Sequence, residues 1–214
     1  TSNVATITVV PDPAITVQPT SPADVCSGGT TANMVITATG GTPSLTYQWQ
    51  YFNGATWNNV VNATPAGSTY TGATAATFHV AGIVAAGSYQ YRCNVSASGN
   101  DCNTTTSNAV TVVVVPDPSL TVPVFTNSSI CVGGSTVVSS TISGGTGVPT
   151  YQWQYNGGAW ANVANGTPAG AIYTNATTAS MTISGYTGAG VRAYRLTTNN
   201  ASGCNFNSAS TSVT

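Results

Sequence analysis

The chain repeats itself, and that repeat limits what it can fold into. Residues 26–115 read like residues 131–214, with an offset that drifts only from 105 to 102. Cys26-Ser27-Gly28-Gly29 matches Cys131-Val132-Gly133-Gly134, and Tyr47-Gln48-Trp49-Gln50-Tyr51 matches Tyr151-Gln152-Trp153-Gln154-Tyr155. Trp57 matches Trp160, Thr64-Pro65-Ala66-Gly67 matches Thr167-Pro168-Ala169-Gly170, Tyr91-Arg92 matches Tyr194-Arg195, and Cys102 matches Cys204. A period near 100 residues is too long for one solenoid unit and suits a self-sufficient domain. The sequence therefore reads as part of a tandem array.

The first residues fit the same scheme. Thr1 to Pro13 nearly copies Thr106 to Pro118, which holds the closing strand of one repeat and the linker to the next. The expected organisation is residues 1–11 as the closing strand of a preceding or neighbouring repeat, 12–116 as repeat one, and 117–214 as repeat two with a shortened closing strand. Two explanations fit. The segment belongs to a longer covalent array, or the leading strand completes the second repeat of another copy.

Only seven side chains are charged: Arg92, Arg192, Arg195, Asp12, Asp24, Asp101 and Asp117. An ordinary globular chain carries about a quarter charged residues. Little repulsion keeps copies apart at a net charge of −1, and the edge strands lack the lysines that usually block pairing. Three arginines cannot neutralise a phosphate backbone, so nucleic acid is excluded as a partner. No apolar run reaches the ~20 residues of a membrane helix, so this segment is not expected to insert into a membrane.

The pattern is all-β. Expected strands in repeat one are Ala14–Gln18, Asn33–Thr39, Leu45–Tyr51, Thr56–Val61, Ala75–Ala81, Ser88–Ala97 and Ser107–Val115, with no helical periodicity. Alternation puts Met34, Ile36 and Ala38 on one face, and likewise Tyr47, Trp49 and Tyr51, then Tyr89, Tyr91, Cys93 and Val95. About seven strands per 100 residues, with a tryptophan on the third and a tyrosine on the sixth, describe an immunoglobulin-like sandwich. The expected fold is two such β-sandwiches in tandem, end to end. Trp49 and Trp153 would be the core tryptophans, and Tyr91 and Tyr194 have the spacing of a tyrosine corner.

Aligning the repeats suggests the cysteine pairing. Repeat two has only Cys131 and Cys204, which match Cys26 and Cys102, so the expected disulfides are Cys26–Cys102 and Cys131–Cys204. Cys93 matches Leu196 and should be a buried free thiol. Paired cysteines imply export to an oxidising compartment. The linkers Val-Pro-Asp-Pro, at Pro11, Asp12 and Pro13 and again at Pro116, Asp117 and Pro118, should be short and stiff.

The order of these motifs resembles the bacterial Ig-like repeats of very large secreted proteins, common in gliding Bacteroidetes. It runs Cys-x-Gly-Gly, an apolar strand ending in Gly-Gly, Tyr-Gln-Trp-Gln, a second tryptophan, Tyr-x-Tyr-Arg-Cys, then Ser-Asn-Ala-Val-Thr-Val. The resemblance covers nearly the whole chain. It implies an extracellular, cell-surface role as the stalk or shaft of an adhesin or filament, with similar repeats as head-to-tail partners.

Candidates for chemistry are few. His79 is the only histidine and is replaced by Thr182 in repeat two, so no catalytic set recurs and no enzyme is expected. No metal or cofactor is expected: one carboxylate per linker, Asp12 or Asp117, falls short of a calcium cage. Asn-x-Ser/Thr sequons occur at Asn62, Asn94, Asn103, Asn127, Asn165, Asn175 and Asn200. The alternative function is a carbohydrate-binding module in which Trp57 and Trp160 stack on surface glycans. Against that, a tryptophan recurring in both repeats more simply covers the edge of the core.

Overall fold

The computed structural model describes residues 3–98, 102–199 and 203–214. Thr1, Ser2, Asp101 and Asn200 lie outside the described residues. The chain divides into two compact units, Thr1–Val114 and Val115–Thr214. Both are all-β.

The first unit holds β1 (Ala14–Val17), β2 (Val25–Cys26), β3 (Met34–Val35), β4 (Thr37–Thr39), β5 (Leu45–Phe52) and β6 (Trp57–Asn59). It continues with β7 (Thr69–Thr71), β8 (Thr77–Ala81), β9 (Gly87–Ala97), β10 (Thr105–Thr106) and β11 (Val110–Val115). One layer is β3-β8-β7 together with the β1-β4 pair, and the other runs β2-β11-β9-β5-β6 with β10 on β9. This is the two-sheet arrangement of an immunoglobulin-like sandwich. Ile36 joins β3 to β4 as one continuous second strand, its amide donating to the Ala76 carbonyl at 2.9 Å. The strand changes partner there, from β8 to β1, which is why it reads as two short pieces.

The second unit repeats the plan with β12 (Ser119–Leu120), β13 (Val124–Phe125), β14 (Ser135–Ser139), β15 (Ile142–Ser143), β16 (Thr150–Asn156) and β17 (Trp160–Asn162). Then follow β18 (Ile172–Thr174), β19 (Ser180–Ser184), β20 (Arg192–Asn199), β21 (Phe206–Asn207) and β22 (Thr211–Val213). One layer is β13-β14-β19-β18 and the other is β17-β16-β20-β21 with β22 on β20. Thr214 exchanges backbone hydrogen bonds with Ser128 and Ile130, so the closing strand has neighbours on both sides.

Alternation fills each core from both sheets. In unit one Met34, Ile36, Trp49, Phe78, Val80, Tyr91, Cys93, Val95, Val112 and Val114 are buried together, and in unit two Val138, Trp153, Met181, Ile183, Tyr194 and Leu196 do the same. Trp49 stacks on Phe78 with ring centroids 4.5 Å apart, and its indole N–H donates to the Ala75 carbonyl at 3.0 Å. Trp153 donates to the Thr178 carbonyl at 2.9 Å in the same way. A buried indole N–H needs such a partner, because leaving it unpaired would cost its full desolvation.

Candidate functional site

The cysteines depart from expectation. Cys102 and Cys131 are free thiols, while Cys26 and Cys204 are each disulfide-bonded. The expected pairs Cys26–Cys102 and Cys131–Cys204 therefore do not form. Distance is the reason. Gly28 donates to the Ile83 carbonyl and Gly82 to the Gly29 carbonyl, which ties the Cys26 segment to the loop that opens β9. Cys102 follows the other end of β9, beside Asn103, whose backbone amide donates to Asp12 Oδ1 at 3.0 Å. An 11-residue strand lies between, and at about 3.4 Å per residue that is several times the ~6 Å Cα separation of a disulfide. The second unit has the same geometry. Gly133 donates to the Tyr186 carbonyl before β20, whereas Cys204 follows β20 and lines a cleft with Pro118, Gly145 and Thr146.

Each sandwich thus has a cysteine at either end. The entry end receives the linker and carries Cys102 or Cys204; the exit end receives the closing strand and carries Cys26 or Cys131. Cys26 and Cys204 are buried at 0% and 2% exposure, whereas Cys131 is exposed and Cys102 half-buried. Cys93 is a buried free thiol facing Trp49 across the sheet, and burial pushes its pKa up to about 11.

The entry linker of unit one is fastened to its own sandwich. Asn103 Nδ2 donates to Asp12 Oδ2 at 2.7 Å, and these two Asn103 bonds hold the Asp12 carboxyl below the usual range. Gly41 donates to the Pro11 carbonyl at 2.8 Å, and Pro13 is buried. In unit two Pro118 is likewise buried against Gly145.

The second tryptophans are half-buried on edge strands. The Arg92 guanidinium lies over the Trp57 ring at 4.4 Å, and Arg195 lies over Trp160 at 4.6 Å. Gln50 Oε1 accepts from Arg92 Nε at 3.0 Å and Gln154 Oε1 from Arg195 Nε at 2.8 Å, so each guanidinium is aimed at its ring. One face of each candidate sugar platform is occupied by the protein's own cation. Half-buried on the sheet edge, each tryptophan carries an arginine clamp on one face, which the Tyr-x-Tyr-Arg motif could have signalled.

Tyr91 and Tyr194 are fully buried, but neither makes the tyrosine corner. The Tyr91 hydroxyl meets Tyr70 at 3.3 Å, and the Tyr194 hydroxyl meets those of Tyr173 at 2.9 Å and Tyr186 at 2.5 Å. The corner bond is made two residues earlier, where the Tyr89 hydroxyl donates to the Ala85 carbonyl at 2.8 Å. Arg192 stands in the matching place in unit two, donating to the Gly190 carbonyl at 2.6 Å and covering Tyr186.

Residues 3–10 lie in no strand. Ile7 and Val9 are 89% and 90% exposed, whereas their repeat counterparts Val112 and Val114 are 0% and 2% exposed. His79 sits on β8 opposite Thr71, half-buried. Among the described residues, no three His, Cys, Asp or Glu side chains gather as a metal site.

No known protein family matches the sequence, and no curated protein matches it. Solved structures of multi-Ig chains do. A titin I-band fragment, I67–I69, is 16% identical at a TM-score of 0.48, over 94% of this chain and 64% of that one. Sidekick-1 immunoglobulin domains 1–5 are 14% identical at a TM-score of 0.44, over 96% of this chain and 39% of that one. Murine CEACAM1b is 12% identical at a TM-score of 0.38, over 92% of this chain and 98% of that one. The chain spans less than two thirds of the titin fragment it matches. These likenesses concern fold alone. By its two-sheet topology in each unit the chain is a segment of tandem Ig-like domains.

Proposed function

We propose that this segment is the shaft of a secreted, cell-surface adhesin or filament of the bacterial kind its motifs resemble, and that neighbouring Ig-like units join head to tail by strand complementation. The observation behind this reading is the exposed segment 3–10. Its sequence is that of a closing strand, and its apolar residues Ile7 and Val9 lie in solvent although their counterparts are buried. A strand with that pattern is stable when paired in a sheet with one face covered. The slot it matches is the closing-strand position of an Ig-like sandwich other than the one it precedes, which in unit two is held by β22 and would have to be shared or exchanged with it. Disulfide-bonded cysteines support an extracellular setting. The near-absence of charge suits a protein meant to associate with its own kind.

The test is sedimentation of the purified chain over a range of concentrations, with and without Ile7→Asp and Val9→Asp. The expected outcome is concentration-dependent polymers from the unaltered chain and monomers of unchanged circular dichroism from the variant. Equal sedimentation of the two would defeat strand complementation. The carbohydrate-binding alternative is weakened by the arginine over each tryptophan.

A further inference from the structure

Two of the three arginines hold the same place in the two repeats. On β5 and β9 Trp49, Tyr91 and Cys93 are buried, so alternation turns Gln48, Gln50, Arg92 and Asn94 to the outer face of the sheet. Gln50 is fixed from both sides, accepting from Arg92 Nε at 3.0 Å and donating to Asn59 Oδ1 at 3.2 Å. Gln154 does the same between Arg195 at 2.8 Å and Asn162 at 3.1 Å. Ring and amide together fix the plane of each guanidinium. The third arginine differs: Arg192 donates from both terminal nitrogens to the Gly190 and Gly188 carbonyls. Among the described residues, neither Arg92 nor Arg195 is paired with a carboxylate, and each donates to the protein through Nε alone.

We propose that these two guanidinium forks bind the carboxylates of an acidic polysaccharide, with the principal site on the second unit. A fixed planar fork with its terminal N–H groups open is shaped for bidentate bonding to a carboxylate. In the second unit the fork adjoins a cleft of about 550 Å³ lined by Gln154, Thr197, Asn199, Phe206 and Asn207. Gln154 belongs to both, and Thr197 lies two residues beyond Arg195 on the same face, paired with Asn207. These amides and hydroxyls can donate to and accept from sugar hydroxyls. In the first unit the residues matching Thr197 and Asn207 are Asn94 and Thr106, which bond to each other at 2.9 Å. The clamp recurs there, but these two side chains are already engaged.

The surroundings select the polymer. Peptides are held chiefly at open sheet edges or in apolar grooves. This site is instead the outer face of strands already paired with one another, β16, β20 and β21. A neutral glycan would leave the fork without an acceptor, whereas an acidic one fills it. A repeated carboxylate also suits a repeated fork. A polymer with a carboxylate on each sugar can engage both units as one ligand and gains avidity without any new contact.

The test is affinity electrophoresis of the intact chain through gels containing polygalacturonate, alginate, neutral galactan or polyglutamate, at low and high salt. The expected result is retardation by one or both uronate polymers and by neither control, fading as salt rises. Arg195→Gln should weaken binding at least about tenfold. Arg92→Gln should weaken it less, and the two together should abolish it. Asn207→Leu fills the cleft from an exposed position and leaves the clamp intact, so it should weaken binding even if an arginine variant fails to fold. Unchanged retardation of the double variant or of Asn207→Leu, with an unaltered near-ultraviolet dichroism signal, overturns the proposal. So does equal retardation by polyglutamate, which would mean an acidic peptide or charge alone, and so does passage through both uronate gels without retardation. None of these outcomes bears on strand complementation, which is read from sedimentation.

Discussion

Trp49 and Trp57 sit on adjacent strands and carry different loads. Trp49 is fully buried, stacked on Phe78 and hydrogen-bonded through its indole, whereas Trp57 is half-buried against Phe52 and Arg92. Trp49→Ala should cost about 3–5 kcal/mol, enough to unfold a marginal domain. Trp57→Ala should cost about 1 kcal/mol or less, the scale of an exposed cation–π contact. Urea unfolding of both variants checks this, and similar losses would place Trp57 in the core. The tyrosines give a pH signature. Burial holds the Tyr91 and Tyr194 hydroxyls protonated well above the usual phenol range. An unfolded tyrosine loses its proton near pH 10. Above that pH the unfolded chain binds fewer protons than the folded chain, so stability falls as pH rises, while below about pH 9 these groups give no slope. The melting temperature should therefore drop on the alkaline side of pH 10, and Tyr91→Phe should drop less steeply. Parallel curves would remove the tyrosine from the account. At this scale, alternation was enough to identify the core residues. It did not locate the corner hydrogen bond, because spacing places Tyr89 and Tyr91 on the same face and only the course of the backbone decides which hydroxyl reaches a carbonyl.

Between elements, one close approach is made by a pair of glycines. Gly82, at φ +79°, ends β8, and a Cβ built on it would stand 2.5 Å from the Gly67 carbonyl oxygen. Gly185 repeats this against Gly170 at 2.7 Å. Gly133 has a similar φ of +80° but open space around it. Left-handed backbone costs a residue with a Cβ roughly 1–2 kcal/mol. Gly133→Ala should cost about that much, and Gly82→Ala and Gly185→Ala clearly more, because the loop holding Gly67 or Gly170 must also move. Denaturant midpoints of the three variants decide it; equal shifts would mean the loops yield freely. The longer strands were legible as runs of β-branched and aromatic residues. The short ones were not. Thr69–Thr71 has too few residues to show a period, and Val25–Cys26 gains its place from β11 rather than from its own sequence. The disulfides failed for a related reason: alignment reports which cysteines are equivalent and carries no distance, and the 11 residues of β9 hold Cys26 and Cys102 apart.

Across the whole chain, the repeat seen in sequence reappears as two separate cores, each drawn from one compact unit. Each core holds its own buried tryptophan with a bonded indole and its own buried tyrosine cluster. Acid should disturb neither, because acid unfolding requires carboxylates whose native interactions are lost on protonation. The chain has four aspartates and no glutamate. Asp12, whose pKa is lowered by Asn103, contributes stability that is present above the usual aspartate range and fades as pH falls below it, but the group is on the surface. A domain of about 100 residues with a complete two-sheet core is large enough to fold unaided. Residues 12–116 and 117–214, expressed apart, should therefore each give a tryptophan near-ultraviolet dichroism signal and a single cooperative melt, nearly unchanged between pH 7 and pH 3. A fragment that lacks the near-ultraviolet signal while the intact chain shows it would mean that its fold depends on the other repeat, and the array would then be built from pairs rather than single domains.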